Sequence, residues 1–395
     1  MQKWLITPRD PLIFRNGKPF TAAPGSRSET LPIPFPSTIA GAVRTRAGLD
    51  QVTGIFQSKL INDLLGKTIL APLLAEIDND NQILDVLLPA PADAIFFKTS
   101  TADKASLYDL KPLDLGDAMV DLPELSICGP EKIIKDKPHP RMPTFWRWEK
   151  IKDWLEHPES GTTFCLNKIG IQGLVQESRT HVSIDPGTQA AEEGALFQTS
   201  GLEFTHQDRK DSEPYCLSKS KQLGLLVLTN ADMKEGIGHL GGESRTVSWV
   251  EKEALPTLFE TCPEAIFEKI MRDGHCRLIL ITPAYFEHGN TPTWLQDQFK
   301  VTVKAIINKR YLGISGWDYE KKAPKPSRRL TPAGSVYFLK LPDDPEQRKV
   351  FIDNTWMHAI SDDPEQNRRD GFGLAILGVW DGTDRKMKME DDYGT

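Results

Sequence analysis

The stretch NRRDGFGLAILG, residues 367–378, organises the reading of the whole chain. Two arginines and an aspartate precede Gly371, Gly373 and Gly378, and residues 375–379 then read as a short apolar strand. Glycine tolerates positive φ and lets backbone approach a ligand closely. Successive N–H groups in such a turn can form an anion nest, to which Arg368 and Arg369 would add phosphate contacts. The turn leads into a strand and opens no strand–helix unit, so it is not a dinucleotide fingerprint. No GK[ST] follows, which excludes a nucleoside-triphosphate loop. A glycine-rich edge hairpin that lets two domains pack closely accounts for the same spacing equally well. Upstream, residues 276–282, 299–307 and 336–341 read as strands. A helix stands before them. Thr261 is its expected cap, Pro263 lies in the first turn and Glu264 completes a capping box. Ile266, Phe267, Ile270 and Met271 form its apolar face, and Gly274 stops it.

The first half repeats this mixture of short strands and few helices. Residues 3–7 read as a strand, followed by Pro8, Pro11 and an Asn16-Gly17 turn signal. A long Pro-containing loop over 19–36 leads to a helix with Ser37 as expected cap, Ile39, Ala42, Val43 and Ala47 on one stripe, and Gly48 at its end. Arg44 and Arg46 lie off that stripe and are expected to face solvent or a phosphate. Residues 50–165 are less regular and read as an insertion, with a helix at 55–65 and an acidic, turn-like stretch at 76–85. Within it, residues 144–157 form an amphipathic helix that stacks Phe145, Trp148, Ile151, Trp154 and Leu155. Helical spacing favours core or subunit packing for these rings over base stacking. Strand signals return at 169–175 and 196–207, with residues 181–198 between them. Residues 223–229 read as a central strand and 246–250 as another. No internal repeat is readable. The fold class expected is α+β.

The chain has 395 residues and 44.3 kDa, enough for two domains. Lys and Arg total 48 against 55 acidic residues, a net charge of -7. That excludes a protein coating nucleic acid over its whole surface, so any such contact must use a local basic track. The five cysteines, Cys128, Cys165, Cys216, Cys262 and Cys276, show no CxxC spacing. They read as reduced structural residues, not as a disulfide scaffold or a four-thiolate zinc site. The longest apolar run, residues 371–380, is far shorter than the ~18 residues of a membrane span. A soluble, cytoplasmic protein without a signal peptide or membrane segment is expected.

Two further stretches carry candidate chemistry. GIGHLGGESR, residues 236–245, sets four glycines beside His239 and Arg245, which suits close contact with a phosphodiester chain. An ordinary surface loop is the alternative. Lys321, Lys322, Lys325, Arg328 and Arg329 form a basic stretch broken by Pro324 and Pro326, either a phosphate clamp or a solvated hairpin tip. Enzyme templates find no support. There is no HExxH, GxSxG or HD doublet. His181 and Asp185 are four apart across a strand and turn, and His275 and His288 are isolated. Neither metal-dependent nor acid–base RNA cleavage has positive evidence.

Five segments, in order, carry a resemblance. They are WLITPRDPLIFRNGKPF (4–20), PFPSTIAGAVRTRAG (34–48), HVSIDPGTQAAEEGALFQ (181–198), GHLGGESR (238–245) and NRRDGFGLAILG (367–378). Together they resemble the crRNA-tag-binding subunit of the type III-B CRISPR effector complex, the Cmr module, in the RAMP superfamily. The resemblance implies two ferredoxin-like, RRM-related domains: 1–252, with the insertion at about 50–165, and 253–395. It implies a non-catalytic protein without metal or cofactor that holds the 5′ repeat-derived tag of crRNA. Its implied partners are the large polymerase-like subunit and a backbone RAMP subunit, and the Trp148/Trp154 helix is a candidate subunit contact. By motif membership the candidate RNA contacts are Arg9, Arg15, Lys18, Arg44, Arg46, Gly238, His239, Gly241, Gly242, Arg245, Arg368, Arg369, Gly371 and Gly373. Related subunits process RNA with a histidine, and no residue here is a recognisable counterpart. A repeat-processing endoribonuclease, dependent on His181 or His239, and a scaffold that contacts only proteins are the rival readings.

Overall fold

The computed structural model describes residues 1–15, 27–28, 30–50, 52–101, 104–116, 125–207, 216, 220–253, 255, 257–315, 317–318, 323–324, 326–362 and 366–386. Lys18, the 16–17 turn and Lys321, Lys322 and Lys325 lie outside the described residues. The principal elements of the first half are β1 (Gln2–Pro8), α1 (Pro36–Ala47), β2 (Ile69–Ile77), β3 (Ile83–Pro89), β4 (Phe145–Arg147), α2 (Trp148–Glu156), β5 (Gly170–Ile171), β6 (Val175–Ile184), β7 (Ala191–Glu203), β8 (Lys221–Thr229), β9 (Gly236–His239) and β10 (Thr246–Glu251). The second half contains α3 (Glu264–Asp273), β11 (His275–Leu280), α4 (Thr293–Phe299), β12 (Thr302–Ile307), β13 (Leu312–Ile314), β14 (Arg328–Leu330), β15 (Val336–Lys340), α5 (Pro345–Thr355) and β16 (Ala375–Val379). The fold is α+β, as expected.

The first sheet is antiparallel with order β5-β4-β3-β2-β8-β1-β10-β9. β8 is central, as its unbroken apolar run requires, and pairs Leu226 with Leu5 and Val227 with Trp4. Alternation along β1 sends Trp4 and Ile6 to one face and Leu5 to the other. Ile39, Ala40 and Val43 of α1 cover the Trp4 face. The Leu5 face joins the second sheet in one continuous apolar cluster that includes Leu73, Trp146, Leu278 and Ile376.

The second sheet is also antiparallel, with order β12-β15-β11-β16. Counted along the chain, its strands stand 2-3-1-4, with α4 between the first and second and α5 between the third and fourth. The two helices meet where the rings of Phe299 and Phe351 lie 5.7 Å apart, edge to face. β1, β2, β8 and β10 of the first sheet also stand 2-3-1-4, with α1 between the first and second.

That correspondence moves the extra material. The stretch expected as an insertion at about 50–165 contains β2, a central strand paired with β8, and the additional elements fall between β2 and β8, residues 78–220. Acidic residues concealed β2 and β3. Glu76 is 3% exposed, and its carboxylate takes Arg147 at 2.6 Å and Lys221 at 3.4 Å. Asp85 stands opposite it in the register, and burial raises its pKa. Only the tip near residues 78–82 turns.

Two expected caps also differ. Phe35 is the N-cap of α1 with Pro36 at the first helical position, and Pro263 is the N-cap of α3; neither has a side-chain cap bond. Proline at the first position supplies a preset φ and has no N–H to leave orphaned. Gly274 ends α3 in the left-handed region. The expected helix over 144–157 begins at Trp148, after the Phe145–Arg147 strand. Trp148, Ile151, Trp154 and Leu155 are all buried in the shared core, so these rings are internal and offer no exposed subunit contact.

Near the C-terminal end of the described chain, Arg385 donates to Asp109 at 2.6 Å, and Ser160 bonds the same carboxylate. Burial raises the Asp109 pKa, but the hydrogen bonds from Arg385 and Ser160 outweigh it and hold the carboxyl below its ordinary range. A depressed folded pKa contributes stability above the unfolded value, and that stability is lost as pH falls through the folded value. Asp109→Asn should therefore flatten the acid limb of a stability-against-pH curve below about pH 4, measured by urea denaturation. An unchanged acid limb would contradict this role for the pair.

Candidate nucleic-acid interface

The opening loop and the 239–245 loop, more than two hundred residues apart in sequence, form one surface. The Arg9 N–H donates to the Thr246 carbonyl at 3.0 Å, the Thr246 N–H to Asp10 at 2.9 Å, and the Gly242 N–H to the Ile13 carbonyl at 2.8 Å. The backbone and side-chain bonds from Thr246 hold the Asp10 carboxyl below its ordinary range. Gly241 has φ +80°, and a Cβ there would stand 2.6 Å from the Ile13 carbonyl oxygen, so this contact requires glycine. Glu243 and Ser244 also have positive φ, 57° and 49°. Such backbone costs about 1–3 kcal/mol per residue and persists where the surroundings impose it, often at functional sites.

Arg9, Arg15 and His239 are exposed on this surface. His239 Nδ1 lies 2.8 Å from the Ser244 carbonyl, which fixes the ring. Arg245 pairs with Glu243 at 2.8 Å, while its Nε is buried with no hydrogen-bond partner. Gly238 sits in β9, where a Cβ would stand 2.9 Å from an Arg46 nitrogen.

Arg44 and Arg46 do not project to solvent as expected. Arg46 donates to the carbonyls of Lys234 and Ile237 and lies 5.5 Å over the Trp249 ring, and burial lowers its pKa. Arg44 donates to the Leu64 and Lys67 carbonyls and pairs with Asp370 at 2.6 Å, with both side chains about nine-tenths buried. It ties α1 to the glycine-rich turn.

The glycine-rich turn is itself closed. The N–H groups of Gly371, Phe372 and Gly373 donate to the carbonyls of Arg368, Asn367 and Pro283, and the Leu374 N–H donates to Thr282 Oγ1. Gly371 and Gly373 are buried. The turn is therefore a packing joint and not an open nest. Arg368 donates to the Ser361 carbonyl and covers the Trp294 ring at 4.6 Å. Arg369 is exposed, at the rim of a groove of about 620 Å³ that Lys3, Leu70, Trp356 and His358 also line.

No group of three or more His, Cys, Asp or Glu among the described residues could hold a metal ion. No helix among them is long and apolar enough to cross a membrane. The five cysteines are free, and burial pushes the Cys128 and Cys262 thiols up to about 12. His181 is bonded to Thr199 at 2.8 Å and stacked on Phe197.

What these features define is an α+β protein whose exposed surface is built from two loops distant in sequence. A family model described as CRISPR-associated protein (Cas_Cmr3) matches residues 4–380, and the chain belongs to that family. Among solved structures it is similar to a chain of the Type III-B Cmr-beta complex bound to cognate target RNA and AMPPnP. That likeness has 16% identity, covers 89% of this chain and 88% of the other, and gives a TM-score of 0.43. A chain of the Type III-B Cmr-beta complex bound to cognate target RNA shows 18% identity, 95% and 96% coverage and a TM-score of 0.46. A chain of the Csm3-Csm4 subcomplex in the type III-A CRISPR-Cas interference complex shows 11% identity, 85% and 92% coverage and a TM-score of 0.37. No curated protein matches significantly.

Proposed function

We propose that the chain is a non-catalytic, cytoplasmic RNA-binding subunit of a CRISPR RNA-guided interference complex. It anchors the 5′ repeat-derived tag of crRNA and bridges the large polymerase-like subunit to a backbone RAMP subunit. The observation that carries the reading is the union of the 9–13 and 239–245 loops into one exposed surface, within a chain of this family. Residues 1–252 and 253–395 are read as two ferredoxin-like domains, a division that the shared 2-3-1-4 strand order supports.

Within this reading the arginines divide by role. Arg9, Arg15, Arg245 and Arg369, with His239, contact RNA, and Lys18, outside the described residues, belongs with them by motif. Phosphate contacts set register, and splayed tag bases are read beside the glycine loops. Arg44, Arg46 and Arg368 hold the loops from behind. Arg9→Glu and Arg369→Glu should each weaken binding of tagged RNA about tenfold at fixed salt and lower the salt slope by about one, with unchanged thermal stability. Arg44→Glu should instead lower the melting temperature. Filter binding beside thermal melts distinguishes the two groups. Wild-type affinity in both exposed-arginine variants would favour the protein-only scaffold. RNA shortened by the purified chain, with cleavage lost in His181→Ala or His239→Ala, would favour the endoribonuclease.

A further inference from the structure

Residues 298–342 hold ten Lys and Arg against two carboxylates, Asp318 and Glu320, a net of +8 in a chain whose total is -7. This stretch runs from the end of α4 to β15 and carries the β13–β14 hairpin. The hairpin has two unlike faces. Ile314 and Leu330 turn inward, packed with Phe35 at the start of α1 and Phe372 of the glycine-rich turn. Arg328 lies beside them, and its Nη1 donates to Asn367 at 2.7 Å. These contacts fix the hairpin on the body of the protein.

Tyr311, Gly313 and Arg329 turn outward. Gly313 stands opposite Arg329 in the register, and a Cβ there would meet nothing within 4 Å. The Arg329 guanidinium lies diagonally over Tyr311, 4.9 Å from the ring centroid. Tyr311 is 49% exposed. Lys309 and Arg310 directly precede it, exposed and without a side-chain partner among the described residues.

A guanidinium stacked on a half-exposed ring, beside free cations, matches the chemistry of single-stranded nucleic acid: a base stacks while its phosphates meet the charges. An acidic protein partner would satisfy the cations but would not use the ring face. We infer that this ledge binds single-stranded RNA, with Tyr311 and Arg329 stacking a base and Lys309 and Arg310 contacting the adjoining phosphates. The inference rests on the RNA-binding reading above but involves different residues and requires no tag.

The test uses the full chain with two probes, an oligouridylate and guide RNA with or without its 5′ tag, each titrated at two salt concentrations. Tyr311→Ala should lose about tenfold in affinity for oligouridylate, and Tyr311→Phe should retain it. Arg310→Glu should weaken binding and reduce the salt slope by about one. The preference for tagged over untagged guide should survive in all three, because the tag surface is untouched. Wild-type oligouridylate affinity in both Tyr311→Ala and Arg310→Glu, with the tag preference intact, would overturn the ledge and leave the tag reading standing. Loss of oligouridylate binding in those variants, with no tag preference in the wild type, would support the ledge and sink the tag reading. Unchanged RNA binding by Arg310→Glu with lost retention of a partner subunit would assign the ledge to protein and overturn the inference.

Discussion

Asp93→Ala is expected to lower the free energy of unfolding by about 3–5 kcal/mol, the cost of leaving a buried charge without its counter-ion. Asp93 and Arg277 are 1% and 2% exposed and form a direct ion pair. Arg277 also donates to the Val379 and Trp154 carbonyls, and Trp154 Nε1 donates to Asp93 at 2.9 Å. The pair joins a segment inserted between β2 and β8, the α2 helix and two strands of the second sheet. Gly378 makes the space: a Cβ there would stand 2.9 Å from an Arg277 nitrogen. Removing Asp93 would strand the guanidinium and the indole N–H together. The double variant Asp93→Ala/Arg277→Met should recover much of the loss, since an apolar replacement of a buried pair is often neutral. Urea denaturation of the three proteins measures both effects. A single variant as stable as wild type would mean that water reaches the pair and that the halves are not locked there.

Gly373→Ala should cost about 2 kcal/mol or more. Its φ is +83°, and a Cβ would stand 2.8 Å from the Ser361 nitrogen and 3.2 Å from that of Ile360. The Ile360 N–H donates to the Gly373 carbonyl at 2.9 Å, so relief by backbone movement would break a bond of the joint. Gly41→Ala is the contrasting case. It lies in α1 with nothing near its Cβ position, and the substitution should stabilise by about 0.5–1 kcal/mol through helix propensity. Thermal melts of both variants decide. A tolerated Gly373→Ala would show that the turn is looser than its hydrogen bonds indicate.

Much of the scaffold was legible because apolar pattern and punctuation agree. β8 and β16 read directly from unbroken apolar runs, and Gly274 and Gly48 end their helices as expected. What escaped was non-local. β2 carries Glu76, whose neutralising partners Arg147 and Lys221 lie 71 and 145 residues away, so the acid looked like turn chemistry. The 144–157 segment contains strand before helix because Trp146 pairs with Leu88, a contact that periodicity cannot reveal. The candidate site divided for the same reason. Arg44 and Arg369 look equivalent in sequence, yet Arg44 is paired with Asp370 and Arg369 is exposed. Arginine beside glycine indicates that a loop matters. Only the fold tells whether the arginine supports the loop or faces a ligand. The outward Tyr311/Arg329 pair shows this again, since only the strand register brings those residues together.

The acidic total and the RNA-binding reading are compatible in this arrangement. The acidic excess lies outside residues 298–342, while Arg9, Arg15, His239 and Arg369 are exposed. The central claim is tested most directly by titrating the purified chain, alone and with the proposed large-subunit partner, against guide RNA with and without the 5′ repeat tag. Salt is held fixed, and the RNA is sized afterwards on a gel. The account predicts tighter binding of the tagged guide, recovered at full length. Equal affinity for both guides, or shortened RNA, would contradict it.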